Sequence, residues 1–201
     1  VSIVFQKNRE AKTRFVVNEG GTRSTKTYSI LQLFLIKMFE NRDRPVFSVV
    51  RKSYPALAGS AMKDFFDIIR NLGIYSEGNH NMSSHIYRIG RAEIEFFSLD
   101  DPKKVRGRKR NYLFINEANE LTKEDFFQLN VRTSKQVFMD YNPSDIDHWI
   151  YDDSDRAMMP RSQRTDIHST FRDNKFLDLG LKQQQLDNIE NQDKDYWRAV
   201  S

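Results

Sequence analysis

The sequence predicts an α/β domain built on a central, mostly parallel β-sheet flanked by helices, and three observations carry that expectation. Short β-rich runs alternate with apolar stretches of helical period along most of the chain, the pattern of strands joined by crossover helices. Two of those runs end in polar residues suited to chemistry, one in glycines and one in an Asn-Glu pair. The 201 residues hold 38% hydrophobic and 30% charged side chains, a balance that suits one packed domain better than a disordered chain.

The run "RFVVN" at 14–18 predicts a first strand leading directly into glycines. "TYSILQLFLIKMFEN" follows, apolar and free of Gly and Pro, and predicts a buried helix. "PVFSVV" at 45–50 is the next strand, opened by a proline that stops the helix before it. In "SAMKDFFDIIRNLG" the residues Met62, Phe65, Phe66, Ile69 and Leu72 keep helical spacing, with Gly73 placed as the C-terminal cap. "SHIYRIGRAEIEFFS" alternates apolar and polar residues around Ile89-Gly90-Arg91, which predicts a hairpin. "YLFIN" at 112–116 and "QVFMDYN" at 136–142 are two more strands, separated by the acidic helical segment "TKEDFFQLNV". Beyond Asn142-Pro143 the chain turns more polar, with a last strand near "TDIHSTF" and an amphipathic helix within "LDLGLKQQQLDNIENQ". The expected division is a domain over 1–175 and a C-terminal helical segment over 176–201.

The chain has no cysteine, which excludes disulfides, thiolate metal sites and a cysteine nucleophile. No apolar run approaches the roughly 20 residues that span a bilayer, and "VSIVFQKNREAK" lacks the features of a secretory signal; a cytoplasmic setting is expected. His80, His85, His148 and His168 show no metal-ligand spacing. Net charge is only +4, yet "KKVRGRKR" places six cations in eight positions, a patch for phosphates of nucleic acid or nucleotide, or for a subunit boundary.

Two segments carry chemistry. In "NEGGTRSTKT" the order Gly20-x-x-x-x-Thr25-Lys26-Thr27 sits between a strand and a helix. A phosphate-binding loop needs that setting, so that backbone N–H groups and a helix N-terminus face the anion. Lys26 is placed to reach the β- and γ-phosphates, and the Thr27 hydroxyl to bind magnesium. Thr25 stands where a second glycine is usual, which is tolerable only if its backbone angles are ordinary. About 90 residues later "NYLFINEANEL" ends a strand in Asn116-Glu117. A strand-end acid there supports magnesium in P-loop ATPases, and a following glutamate polarises the attacking water. Glu117 has the position of that base; Asn116 replaces the acid, so one metal-supporting charge is expected to be missing.

With these segments, "SVVRKSYPALAGS", "LDDPKKVRGR", "MDYNPSDIDHWIY" and "STFRDNKFL" occur in one order, and the chain resembles the large terminase subunit of tailed bacteriophages, in its Asn-Pro motif variety. The resemblance implies a P-loop NTPase fold of the RecA-like (ASCE) type and a magnesium-dependent ATPase that drives viral double-stranded DNA into the procapsid. It implies ATP and Mg2+ at the loop Gly20, Gly21, Thr22, Arg23, Ser24, Thr25, Lys26 and Thr27, with Asn116 beside the metal. Glu117 is implied as catalytic glutamate and Asn142 as the coupling residue that senses the γ-phosphate. Arg106 resembles an arginine supplied by a neighbouring subunit; Arg23, one step out of register with the family's loop arginine, and Arg51 are the other candidates. Gln6 is a candidate adenine reader. The implied partners are DNA, the portal protein and the small terminase subunit, with a homo-oligomeric ring on the portal and a monomer in isolation. The place of action is the host cytoplasm, at the procapsid portal vertex. The family's nuclease would lie beyond Ser201. A helicase-like translocase, or a nucleotide- or DNA-binding module that hydrolyses nothing, are the alternatives.

Overall fold

The computed structural model describes residues 1–41, 43–100, 105, 107–143, 148–151 and 159–191. In chain order the elements are α1 (Ile3–Glu10), β1 (Phe15–Gly20), α2 (Lys26–Glu40), β2 (Val46–Arg51), α3 (Tyr54–Gly59) and α4 (Ala61–Asn71). There follow β3 (His80–Asn81), β4 (Ile86–Ile89), β5 (Ala92–Ser98), β6 (Arg110–Ile115), α5 (Lys123–Asn130), β7 (Thr133–Tyr141), β8 (Arg164–Ser169) and α6 (Leu179–Asn191).

The strands form one sheet in the order β3-β4-β5-β2-β6-β7-β1-β8. From β5 to β8 every pairing is parallel, and only β4 runs against the rest, pairing antiparallel with β3 and β5 at one edge. The mostly parallel sheet predicted from the alternating pattern is therefore present. Both faces are covered, so each central strand splits its side chains between two cores. Val16, Phe47, Val49, Phe114 and Phe138 join α1, α2 and α4 on one face. Phe15, Val17, Val50, Leu113, Ile115, Val137 and Met139 join Phe126 and Leu129 of α5 on the other. Phe34 of α2 centres the first core, its ring 5.1 Å from Phe47 and 5.4 Å from Phe138.

Local chemistry explains the boundaries. α5 opens on a capping box between Thr122 and Asp125, which satisfies otherwise orphaned N–H groups. α4 closes through Gly73 at φ +68, whose N–H bonds to Arg70 O at 2.9 Å. The hairpin turns at Gly90, φ +57, with Ile89 opposite Ala92. Three elements were not foreseen in the sequence: α1, α3 and the two-residue β3. α1 is capped by Ser2, whose Oγ accepts from Phe5 N at 3.0 Å, and packs on α2 through a 2.9 Å contact between the Ser2 and Ser29 hydroxyls. Among the described residues no helix is long and apolar enough to cross a membrane.

Candidate functional site

One strand, β7, lies between β1 and β6, so the C-terminal ends of all three open on one side of the sheet. Parallel strands deliver their C-termini to the same edge, where connecting loops build ligand sites. A cleft of about 260 Å³ there is lined by residues 22–28 of the loop together with Asp64, Glu117 and Asn142.

The loop is held close to β8. A Cβ on Gly20 would lie 1.8 Å from the Ser169 carbonyl oxygen, and the Gly21 N–H bonds that same oxygen at 3.2 Å. Only glycine fits at position 20. Arg23 and Thr25 both adopt left-handed backbone, at φ 64 and φ 70. The condition set for a side chain at this position, ordinary backbone angles, is thus not met: Thr25 keeps the conformation a glycine would supply, at a cost of about 1–2 kcal/mol for a residue with a Cβ. α2 starts at Lys26, immediately after this strained residue.

The Lys26 ammonium is buried and donates to Gly20 O (2.7 Å), Gly21 O (2.8 Å), Ser24 Oγ (3.1 Å) and Asn142 Oδ1 (2.9 Å). Burial lowers its pKa, while the carboxylates of Asp140, Glu117 and Glu19 pull the other way. The lysine thus occupies the loop's own acceptors and ties the loop to Asn142, at the end of β7.

Sequence reasoning missed Asp140. It lies on β7, is 1% exposed and receives the Thr27 hydroxyl as a hydrogen bond on Oδ2. Its Oδ1 accepts from Asn116 Nδ2 at 3.0 Å and from Glu117 N at 2.9 Å. Burial raises its pKa against these bonds and the nearby Lys26 charge. The signal was available: an acid within the otherwise apolar run "VFMDY".

Glu117 has left-handed backbone, φ 53 and ψ 62, an outlier for a residue with a side chain. Burial first, and the Asp140 carboxylate second, push its pKa up to about 7. Asp64, reaching the cleft from α4, is likewise raised by burial. The arrangement therefore combines a helix N-terminus, a buried ammonium, a hydroxyl beside a carboxylate and a carboxyl group that titrates near neutrality. Such oxygen donors suit magnesium, and the whole suits a phosphorylated ligand and general-base chemistry.

The other predicted residues are distributed unevenly. Asn116 faces Asp140 through its amide nitrogen, and Ser60 Oγ lies 3.1 Å from its oxygen. Arg51 is bidentate on Glu120, Nη2 to Oε1 at 2.7 Å and Nε to Oε2 at 3.1 Å, so its charge is engaged within the fold. Gln6 is exposed on α1 and does not line the cleft. Arg106, Lys103 and Lys104 lie outside the described residues. Two cations of the same run are engaged within the fold: Arg108, half-exposed, pairs with Glu93 and Glu95, and Arg110, 1% exposed, sits 5.0 Å over the Phe97 ring with its pKa lowered by burial to about 10. The six-cation run is therefore not one outward patch.

Comparison with known proteins places the chain in a family and a fold. The sequence profile of the family "Phage terminase large subunit" matches residues 12–201. A search of curated protein sequences gives no match. The large terminase of a thermophilic bacteriophage superposes with a TM-score of 0.82 at 14% identity over 99% of this chain and 52% of that one. The ADP complex of the same terminase superposes at 0.77, with 16% identity over 98% and 50%. The ATPase domain of the Thermus phage P74-26 large terminase gives 0.68 at 12% identity, over 98% of this chain and 90% of that domain. This chain thus spans about half the length of the first of these terminases, and at these identities the likeness is one of fold.

Proposed function

Because the chain belongs to the phage terminase large subunit family, we propose that it is a magnesium-dependent ATP hydrolase coupling hydrolysis to movement of viral double-stranded DNA into the procapsid. The observation that carries this is the convergence of Lys26-Thr27, Glu117 and Asn142 on one cleft at the ends of β1, β6 and β7. The large terminase of the thermophilic bacteriophage forms complexes with ADP and ATP-gamma-S, which supports nucleotide as the ligand.

In this reading the loop N–H groups and Lys26 bind the phosphates, and Thr27 contributes its hydroxyl on the metal side. A magnesium ion held there would supply charge neutralisation at the phosphate oxygens. Glu117 orients and deprotonates the attacking water; an acid titrating near 7 is matched to that task. Asn142 already holds the Lys26 ammonium, so phosphates arriving at Lys26 displace that contact, and their loss restores it. That exchange is the means by which β7 senses the γ-phosphate.

Arg106 serves as the finger supplied by a neighbouring subunit, with Arg23, exposed at the loop tip, as the rival; Arg51 is bound to Glu120 and is set aside. Gln6, exposed on α1 and outside the cleft lining, has no adenine-reading role in this arrangement. The ring assembles on the portal in the host cytoplasm, with DNA and the small terminase subunit as further partners. The test is steady-state ATP hydrolysis across protein concentrations, for the wild type and Glu117→Gln. Specific activity rising with concentration, and falling about 10²–10⁴-fold in the variant, is expected. Turnover unchanged in Glu117→Gln rejects the assignment.

A further inference from the structure

We propose that Asp140, on β7, is the carboxylate that supports the magnesium ion, taking over the charge that Asn116 lacks on the adjacent strand. This rests on reading the cleft as a magnesium–nucleotide site and names the residue that completes it.

β6 and β7 are parallel with Ile115 beside Met139, so the residues after these, Asn116 and Asp140, are buried neighbours directly behind the cleft, joined to it through Thr27 and Glu117. A carboxylate on either strand would serve the same small region. Both positions ionised would set two like charges side by side in a buried place, which is costly. The amide at 116 removes that conflict and donates to the acid at 140, 3.0 Å away. Reversing the amide would point its oxygen at the carboxylate, so the hydrogen bond fixes its orientation. Asn116 is therefore a positioning residue for Asp140.

The hydroxyl of Thr27 carries one proton and two lone pairs. Its proton is given to Asp140 Oδ2, which leaves the lone pairs free for a cation beside the carboxylate. Asp140 is buried, and its hydrogen-bond donors are all neutral: a hydroxyl, an amide and a backbone N–H. The nearest ammonium, on Lys26, is shared among four other oxygens. A buried carboxylate with neutral donors alone is poorly compensated, and a divalent cation placed next to Thr27 corrects that.

The experiment measures Mn2+ affinity of the protein–ADP complex by electron paramagnetic resonance, with ADP binding in EDTA measured by calorimetry as a check of the folded cleft. Asp140→Asn is expected to weaken Mn2+ binding about 10–100-fold and to retain ADP binding in EDTA. The double variant Asn116→Asp/Asp140→Asn, which returns the charge to β6, is expected to recover most of the Mn2+ affinity. Wild-type Mn2+ affinity in Asp140→Asn, or no recovery in the double variant, overturns the proposal. Where Asp140→Asn alone does not fold, the double variant decides in the same way. A wild type that binds no ADP, with or without metal, instead sinks the nucleotide-site reading and takes this assignment with it.

Discussion

The cleft and the aromatic lobe beneath the antiparallel edge are opposite solutions within one sheet. In the lobe, Phe65, Phe66, Tyr75, His80, Tyr87 and Phe96 pack ring on ring, with Phe65 5.5 Å from Phe96 and Phe66 stacked 4.4 Å from His80. Phe65 and Tyr87 are fully buried, and the Tyr87 hydroxyl is satisfied by Ile74 O at 3.1 Å and Ser76 N at 2.9 Å. In the cleft, Arg23, Thr25 and Glu117 all take left-handed backbone, and Glu117 and Asp140 hold carboxyl groups whose charged forms are penalised by burial. The lobe is held by ring packing, though the buried His80 Nε2 finds no partner there, while the cleft concentrates left-handed backbone and penalised carboxyl groups, a division expected where a fold must keep a reactive site poised.

The contrast is broken most directly at Phe65. Phe65→Ala should cost about 3–5 kcal/mol of stability, measured by denaturant unfolding, while the nucleotide affinity of the folded fraction stays as in the wild type. An affinity that falls in step with stability would mean that the two regions are not separable.

The next effect lies in pH. Glu117 titrates near 7 in the folded chain, against about 4.3 when unfolded, so the folded state holds a proton that the unfolded state releases. The stabilisation from that proton is complete below about pH 4.3 and is lost as pH rises through about 7. Asp140 and Glu120 push in this direction, and Arg51 and Lys26 oppose it. In metal-free protein, Glu117→Gln should therefore match the wild type near pH 4.5 and exceed it at pH 8. After discounting for solvent screening the gain is about 1–2 kcal/mol. Equal melting temperatures at pH 8 would remove Glu117 from the strained set.

The smallest effect belongs to Thr25. Thr25→Gly relieves the left-handed backbone of a side-chain-bearing residue, worth about 1–2 kcal/mol, less about 0.5–1 kcal/mol for glycine's freedom in the unfolded chain. The net is a gain of about 0–1.5 kcal/mol, read as a melting temperature at or slightly above that of the wild type. A loss would mean that the threonine side chain, whose Oγ1 lies 3.4 Å from Ser29 Oγ, contributes more than the backbone costs.

What was legible in the sequence follows from locality. The strands of β1, β2, β6, β7 and β8 and the helices α2, α4 and α5 announce themselves by period and by turn residues, because neighbours along the chain suffice to set them. The loop with Lys26 and Thr27 was legible for the same reason, as was the strand that ends in Glu117. α1 and α3 were not: each is one to two turns long, and α1 depends on Ser2, Val4 and Phe5 meeting α2. The pairing of Arg108 and the burial of Arg110 were also invisible, since Glu93, Glu95 and Phe97 come to them from the neighbouring part of the sheet.

The sequence by itself determined that this is an α/β chain, that a phosphate loop follows its first strand, and that Glu117 follows a later one. Each is written in contiguous residues whose period and spacing do not depend on the rest of the fold. Only the tertiary structure decided where the missing acid went. Asn116 alone reads as a lost charge; beside Asp140 it is the amide that holds one. The two positions are 24 residues apart in sequence and become neighbours only because β6 and β7 pair in parallel, a non-local choice that no local pattern records.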